Sequence, residues 1–68
     1  MTEFKNRLTE LRKQNLLSQR EMAQKLGISQ PSYVRYENGT AQPNLDRLVM
    51  IADIFDVSLD YLVGREKY

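Results

Sequence analysis

The 68-residue chain contains no cysteine and no histidine. Disulfides are therefore excluded, and so are the usual zinc sites, which draw on thiolate and imidazole ligands. There are only three glycines and two prolines, and no glycine-rich run that could cradle a nucleotide phosphate. No apolar stretch approaches the roughly 20 residues of a membrane-spanning helix, and the N-terminus has no secretory apolar region. Those two absences point to a cytoplasmic protein without a membrane partner. Low-complexity segments, linkers and internal repeats are also missing, which leaves a single domain over residues 1–68. A chain this short buries only about 60% of the surface its unfolded form exposes. With no disulfide or metal available, helix packing or a partner subunit has to supply the stability.

What is present is charge, unevenly placed. Seven of the ten Lys/Arg residues fall before position 37 (Lys5, Arg7, Arg12, Lys13, Arg20, Lys25, Arg35), against Glu3, Glu10 and Glu21. Beyond that point Arg47, Arg65 and Lys67 face six carboxylates. A basic half beside an acidic half suits a molecule that turns one face to a polyanion.

The punctuation marks five short helices and no strands, so the chain reads as all-α. The first runs from about Thr2 to Gln14, with Phe4, Leu8 and Leu11 on one face and Asn15 as the residue able to take the left-handed terminal conformation. Ser18 and Glu21 form a capping box for the second, whose inner face is Met22, Ala23 and Leu26 and whose stop is Gly27. The third, within "GISQPSYVRYENG", has Ser29 as its cap, Pro31 in its first turn and Asn38-Gly39 as its end. Its Tyr33 and Tyr36 are spaced to face the core. Asn44 caps a fourth helix with Leu45, Leu48, Ile51, Ala52 and Phe55 inside. Ser58 caps a fifth, with Val57, Leu59 and Leu62 as core residues and Asp60 favourably near its N-terminus.

Two helices joined by a short glycine-containing turn, the second capped and polar outside, make a helix-turn-helix pattern. By spacing alone the pattern also fits an ordinary bundle. The residues say more. "LSQREMAQKLGISQPSYVRYENG" followed by "PNLDRLVMIADIFDVSLDYL" resembles the lambda-repressor-like, Cro/cI-type (XRE) helix-turn-helix family over residues 4 to 63. The resemblance implies a compact five-helix DNA-binding domain with the helix-turn-helix in helices 2 and 3. It also implies a transcription regulator that binds operators as a dimer.

Carried over position by position, the resemblance gives Gln19 a backbone phosphate and the task of bracing Gln30. Gln30 takes the first base-reading position, where a glutamine can bond adenine N6 and N7 together. Arg35, further along the same face, is placed to read guanine O6 and N7. Pro31 and Ser32 lie between them as further base contacts, with the Pro31 ring placed to touch a thymine methyl, and Val34 either does the same or half-buries itself. Asn38, Gly39 and Thr40 stand where the family's loop offers backbone N–H groups to a phosphate, while Lys13, Arg20 and Gln42 are weaker phosphate candidates. Arg12 and Glu37 occupy the family's partly buried ion pair and are assigned to structure. The chain departs from the family in three places. Asn15-Leu16 stands at a bend where glycine is frequent, Pro31 replaces a polar base-contacting side chain, and Tyr33 replaces Ile or Val.

The expected function is thus sequence-specific binding of double-stranded DNA by a repressor. It would act as a homodimer on a palindromic operator, meeting through the helix 5 region with Tyr61, Val63 and the tail to Tyr68. The alternative is an antitoxin-like protein-interaction module that also binds DNA. An enzyme is not expected: Asp53, Asp56 and Asp60 are spaced as a solvated face, not as an acid–base pair. No cofactor, metal or small-molecule ligand is expected either.

Overall fold

The computed structural model describes residues 2–66. Five helices follow one another: α1 (Thr2–Gln14), α2 (Gln19–Leu26), α3 (Gln30–Asn38), α4 (Leu45–Phe55) and α5 (Leu59–Leu62), with no strand among the described residues. Four of them start where a short polar side chain satisfies an orphan backbone donor. Ser18 Oγ accepts the Glu21 amide at 3.0 Å while Glu21 Oε1 accepts the Ser18 amide at 2.9 Å. Ser29, Asn44 and Ser58 accept from the amides of Ser32, Arg47 and Tyr61 in the same way. Each such cap contributes about 1 kcal/mol.

Three of the helices end on one device. At the end of α2 the Gly27 amide reaches Gln24 O at 3.1 Å and the Ile28 amide reaches Ala23 O at 3.0 Å. Leu16 and Leu17 repeat this pair of bonds on Lys13 O and Arg12 O at the end of α1. Asp56 and Val57 repeat it on Asp53 O and Ala52 O at the end of α4. The first residue of each pair is left-handed, and the second, an apolar residue, packs against the core.

This corrects the reading of the first bend. Leu16, not Asn15, takes the positive φ of 58°, while Asn15 Nδ2 donates to Leu11 O at 2.7 Å. The reason is register: with Leu16 in the left-handed position, Leu17 turns inward and Leu16 stands 90% exposed.

The core takes residues from every helix. Phe4, Leu8 and Leu11 of α1 meet Met22, Ala23 and Leu26 of α2, Tyr33 and Tyr36 of α3, Ile51 and Ala52 of α4, and Leu62 of α5. α2 packs on α3 and α4, and α1 lies against α3 and α5. Full burial of a leucine- or phenylalanine-sized side chain contributes about 1.5–3 kcal/mol.

Helix α4 differs from expectation at its start. Leu45 is 67% exposed, because α4 reaches the core only from its second turn, through Ile51 and Ala52 with Leu48 and Phe55 half-buried. Ile54 packs against the core as well, while Val49 and Met50 stay at the surface. Leu59 is half-buried where Leu62 is fully so.

The far end of the domain is closed by Arg7. Its Nη1 donates to Tyr61 O at 3.0 Å and Glu66 O at 2.7 Å, and its guanidinium lies 4.2 Å from the centroid of the Tyr61 ring.

The Leu16 position yields a test. A leucine in the left-handed region costs about 1–2 kcal/mol, and this one buries almost nothing in return. Leu16→Gly, even after the added freedom of the unfolded chain, is expected to raise the unfolding free energy by about 0.5–1 kcal/mol, read as a higher Tm or urea midpoint. A fall of that size would show that Leu16 makes stabilising contacts after all.

Candidate nucleic-acid interface

The turn between α2 and α3 is set by Gly27, at φ +69° with nothing within 4 Å of where a Cβ would stand. Backbone conformation, not space, is what calls for glycine there. Ser29 then caps α3, and its hydroxyl also donates to Ser32 Oγ at 2.9 Å. Pro31 falls in the first turn, where the amide it lacks would have no helical partner.

The outer side of α3 carries Gln30, Pro31 and Arg35, all exposed. Val34 is half-buried, the second of the two alternatives for that residue. Ser32 is half-buried and tied into the cap; its oxygen accepts from Ser29, which leaves its own O–H to donate outward. Tyr33 and Tyr36 lie beneath, packed edge to face with ring centroids 6.3 Å apart.

What fixes α3 from below is the carboxylate of Glu37. Arg12 Nε donates to Oε2 at 2.6 Å and Arg12 Nη2 to Oε1 at 3.1 Å, a two-point match of guanidinium and carboxylate. The third nitrogen, Arg12 Nη1, donates to Leu17 O at 2.9 Å and so holds the first bend. Gln19 Nε2 donates to Oε1 at 3.2 Å, and the Tyr33 hydroxyl donates to Oε2. The one carboxylate thus joins the C-terminal half of α3 to the end of α1 and the start of α2.

Burial pushes the Glu37 carboxyl up, but the bonds from Arg12, Tyr33 and Gln19 together outweigh it and hold the group below its ordinary value of 4.5. The bond to Glu37 likewise raises the Arg12 guanidinium. Burial, and then donation to Glu37, pushes the Tyr33 phenol well above its usual range. At neutral pH the hub is therefore a carboxylate, a guanidinium and a neutral phenol.

Gln19 donates its amide nitrogen to Glu37, the nearby charge. One expectation for the surroundings is corrected in its atoms: Gly39 and Thr40 do not offer free amides. Both donate to Arg35 O, joined by Ala41 at 3.3 Å, because the carbonyls of the last turn of α3 need partners. Asn38 Oδ1 accepts from the Thr40 amide at 3.1 Å and from Thr40 Oγ1 at 2.7 Å. Asn38, Gly39 and Thr40 are nevertheless exposed together. Lys13, Arg20 and Gln42 are exposed too, with no side-chain hydrogen bond among the described residues.

Lys5 joins this surface as well. Its Cδ and Nζ lie 3.0 and 3.5 Å from the Cβ position of Gly39, which puts an α1 ammonium beside the 38–40 turn. No local spacing could signal this, since α1 and the turn meet only through the fold. At the other end, Tyr61 and Val63 are half-buried, and Lys67 and Tyr68 lie outside the described residues.

The arrangement suits recognition by shape and hydrogen bonding. Among the described residues no group of three or more His, Cys, Asp or Glu side chains could hold a metal ion, and no helix is long and apolar enough to cross a membrane. Five helices with a capped, outward-facing third helix define a helix-turn-helix domain. The chain belongs to the helix-turn-helix family, whose model matches residues 8–62.

Its relatives agree. The chain is 48% identical over 63 residues to the uncharacterized HTH-type transcriptional regulator YqaE of Bacillus subtilis, covering 93% of this chain and 54% of that one. It is 44% identical over 62 residues to the cryptic phage CTXphi transcriptional repressor RstR of Vibrio cholerae, covering 91% and 55%. A crystal structure of a transcriptional regulator from Listeria innocua superposes with a TM-score of 0.86 at 30% identity, over 90% of this chain and 57% of that one. The chain spans about half the length of the curated relatives it matches.

The Glu37 hub carries the test. Removing one partner of such a pair leaves an uncompensated charge, so Glu37→Ala is expected to cost about 3–5 kcal/mol, while Arg12→Met/Glu37→Leu together should cost much less. Because the folded Glu37 sits below 4.5, its contribution is complete above that value and is lost as pH falls through the folded pKa. Stability measured by urea titration from pH 6 down to pH 2 should therefore drop in acid, and less steeply for Glu37→Gln. Identical acid slopes for the two proteins would remove the carboxylate from this role.

Proposed function

We propose that the chain is a sequence-specific binder of double-stranded DNA that regulates transcription, with α3 entering the major groove. The observation that carries the reading is the exposure of Gln30, Pro31 and Arg35 on a helix clamped from beneath through Glu37. The groove is about 12 Å wide and accepts one helix, whose N-terminal residues reach the base edges. Gln30 stands at that end, suited to adenine, and Arg35 lies further along, suited to guanine.

Phosphates on either side are met by side chains: Arg20 and Gln19 at the start of α2, and Asn38, Thr40, Gln42 and Lys5 around the end of α3. Lys13 is the outlying member of that set. Such contacts set register and carry the salt dependence, while base edges carry the sequence.

One copy presents few base-reading side chains. A homodimer on a palindromic operator, with half-sites about 34 Å apart, multiplies them. The α5 end, with Tyr61 and Val63, is the proposed contact. Repression by occlusion of a promoter requires nothing more than binding. The likeness to the repressor RstR supports this reading.

Selection of bound duplexes from a random pool is expected to return a symmetric motif. On that motif Gln30→Ala and Arg35→Ala should each lose about 1–3 kcal/mol of binding, with nearly unchanged affinity for unrelated duplex. Equal losses on every sequence would take both residues out of base reading. A pool that returns no enriched motif would refute sequence-specific binding.

A further inference from the structure

Arg47 lies in the first turn of α4 and is half-buried. Its Nη1 donates to the hydroxyl of Tyr36 at 3.2 Å, a neutral partner on the inner side of α3. Its Nε is buried and has no acceptor. Among the described residues Arg47 forms no salt bridge; Asp46, its neighbour in the same turn, is exposed and not paired with it. Placement on the helix does not explain the charge either, since the first turn of a helix favours anions and disfavours cations. A guanidinium in this state has given up part of its hydration with only a phenol in exchange. It is the opposite of Arg12, whose three nitrogens all find acceptors.

We propose that the missing counter-charge is a phosphate of the DNA backbone, and that Arg47 is a phosphate-binding residue. The inference rests on the DNA-binding reading above. Arg47 comes five residues after Gln42, a phosphate contact in that reading, and the one hydrogen bond of its guanidinium among the described residues is to the helix that enters the groove. A phosphate accepted there ties α4 to the same strand as the end of α3. Guanidinium is the fitting group for the task, because it stays charged when partly dehydrated and offers donors in a fixed plane. No sequence pattern singles this arginine out; its unsatisfied state does.

The test compares wild type, Arg47→Met and Tyr36→Phe on a selected duplex and on an unrelated one over a range of salt concentrations. Arg47→Met is expected to weaken binding to both duplexes by the same factor and to lower the slope of log affinity against log salt by about 0.9. Tyr36→Phe should leave that slope unchanged. Loss confined to the selected duplex, with the slope intact, would instead make Arg47 a positioning residue acting through Tyr36 and overturn the proposal. Without DNA, the Tm of Arg47→Met should match or exceed that of wild type, since an unpaired half-buried charge is replaced by an apolar chain of similar length. A Tm several degrees lower would show that the charge is already compensated within the chain, which also overturns it. Wild type that folds but binds neither duplex defeats the DNA-binding reading itself. Wild type that binds with a steep salt slope shared by Arg47→Met defeats only the assignment of Arg47.

Discussion

Glu37 is one carboxylate with four donated hydrogen bonds, and the geometry of the third helix depends on it. Two come from Arg12, one from Gln19 and one from Tyr33. In a domain of this size there is little apolar area to spare, and the nine-residue α3 adds directional bonds to the packing of Tyr33 and Tyr36. Directional bonds to a charge do what a larger core would otherwise do. The arrangement binds three helices at one point, and it does so on the inner side of α3. That leaves the outer side free of structural duty, which is the condition for putting Gln30 and Arg35 at the service of a ligand.

The same economy appears at the helix ends. Three helices close with a left-handed residue followed by an apolar one that packs inward, and only one of the three uses glycine. At Leu16 and Asp56 the inward anchoring of Leu17 and Val57 offsets the backbone cost. Elements that repeat a local device in this way can be short, since each connection is determined within a few residues. The result is a pair of helices, α2 and α3, joined by a three-residue turn.

How far the sequence disclosed this follows from the range of each interaction. Caps at Ser18, Ser29, Asn44 and Ser58 were legible because cap and partner are three residues apart. The inward faces of α1 and α2 were legible from their spacing. Leu45 was not, because periodicity cannot tell where along a helix the neighbouring helices begin. Intrinsic tolerance points to Asn15 as the left-handed residue at the first bend, whereas the need to bury Leu17 puts it at Leu16. The ion pair of Arg12 with Glu37 came from the family resemblance, and its additional donors did not. Gln19 and Tyr33 meet Glu37 only once three helices are in place, and Lys5 meets Gly39 by the same route. Arg47 carries no pattern at all. Its interest arises from bonds it fails to make, which only coordinates can reveal.

α3 and its flanking turns are the surface proposed to meet duplex DNA. Amide chemical shifts of the protein, followed during titration with a selected duplex, examine this residue by residue. The largest changes should fall on the start of α2, along residues 30–35 and across residues 38–44, while the exposed side of α4 at Val49 and Met50 stays unperturbed. Changes centred on that side of α4, with residues 30–35 silent, would contradict the central claim.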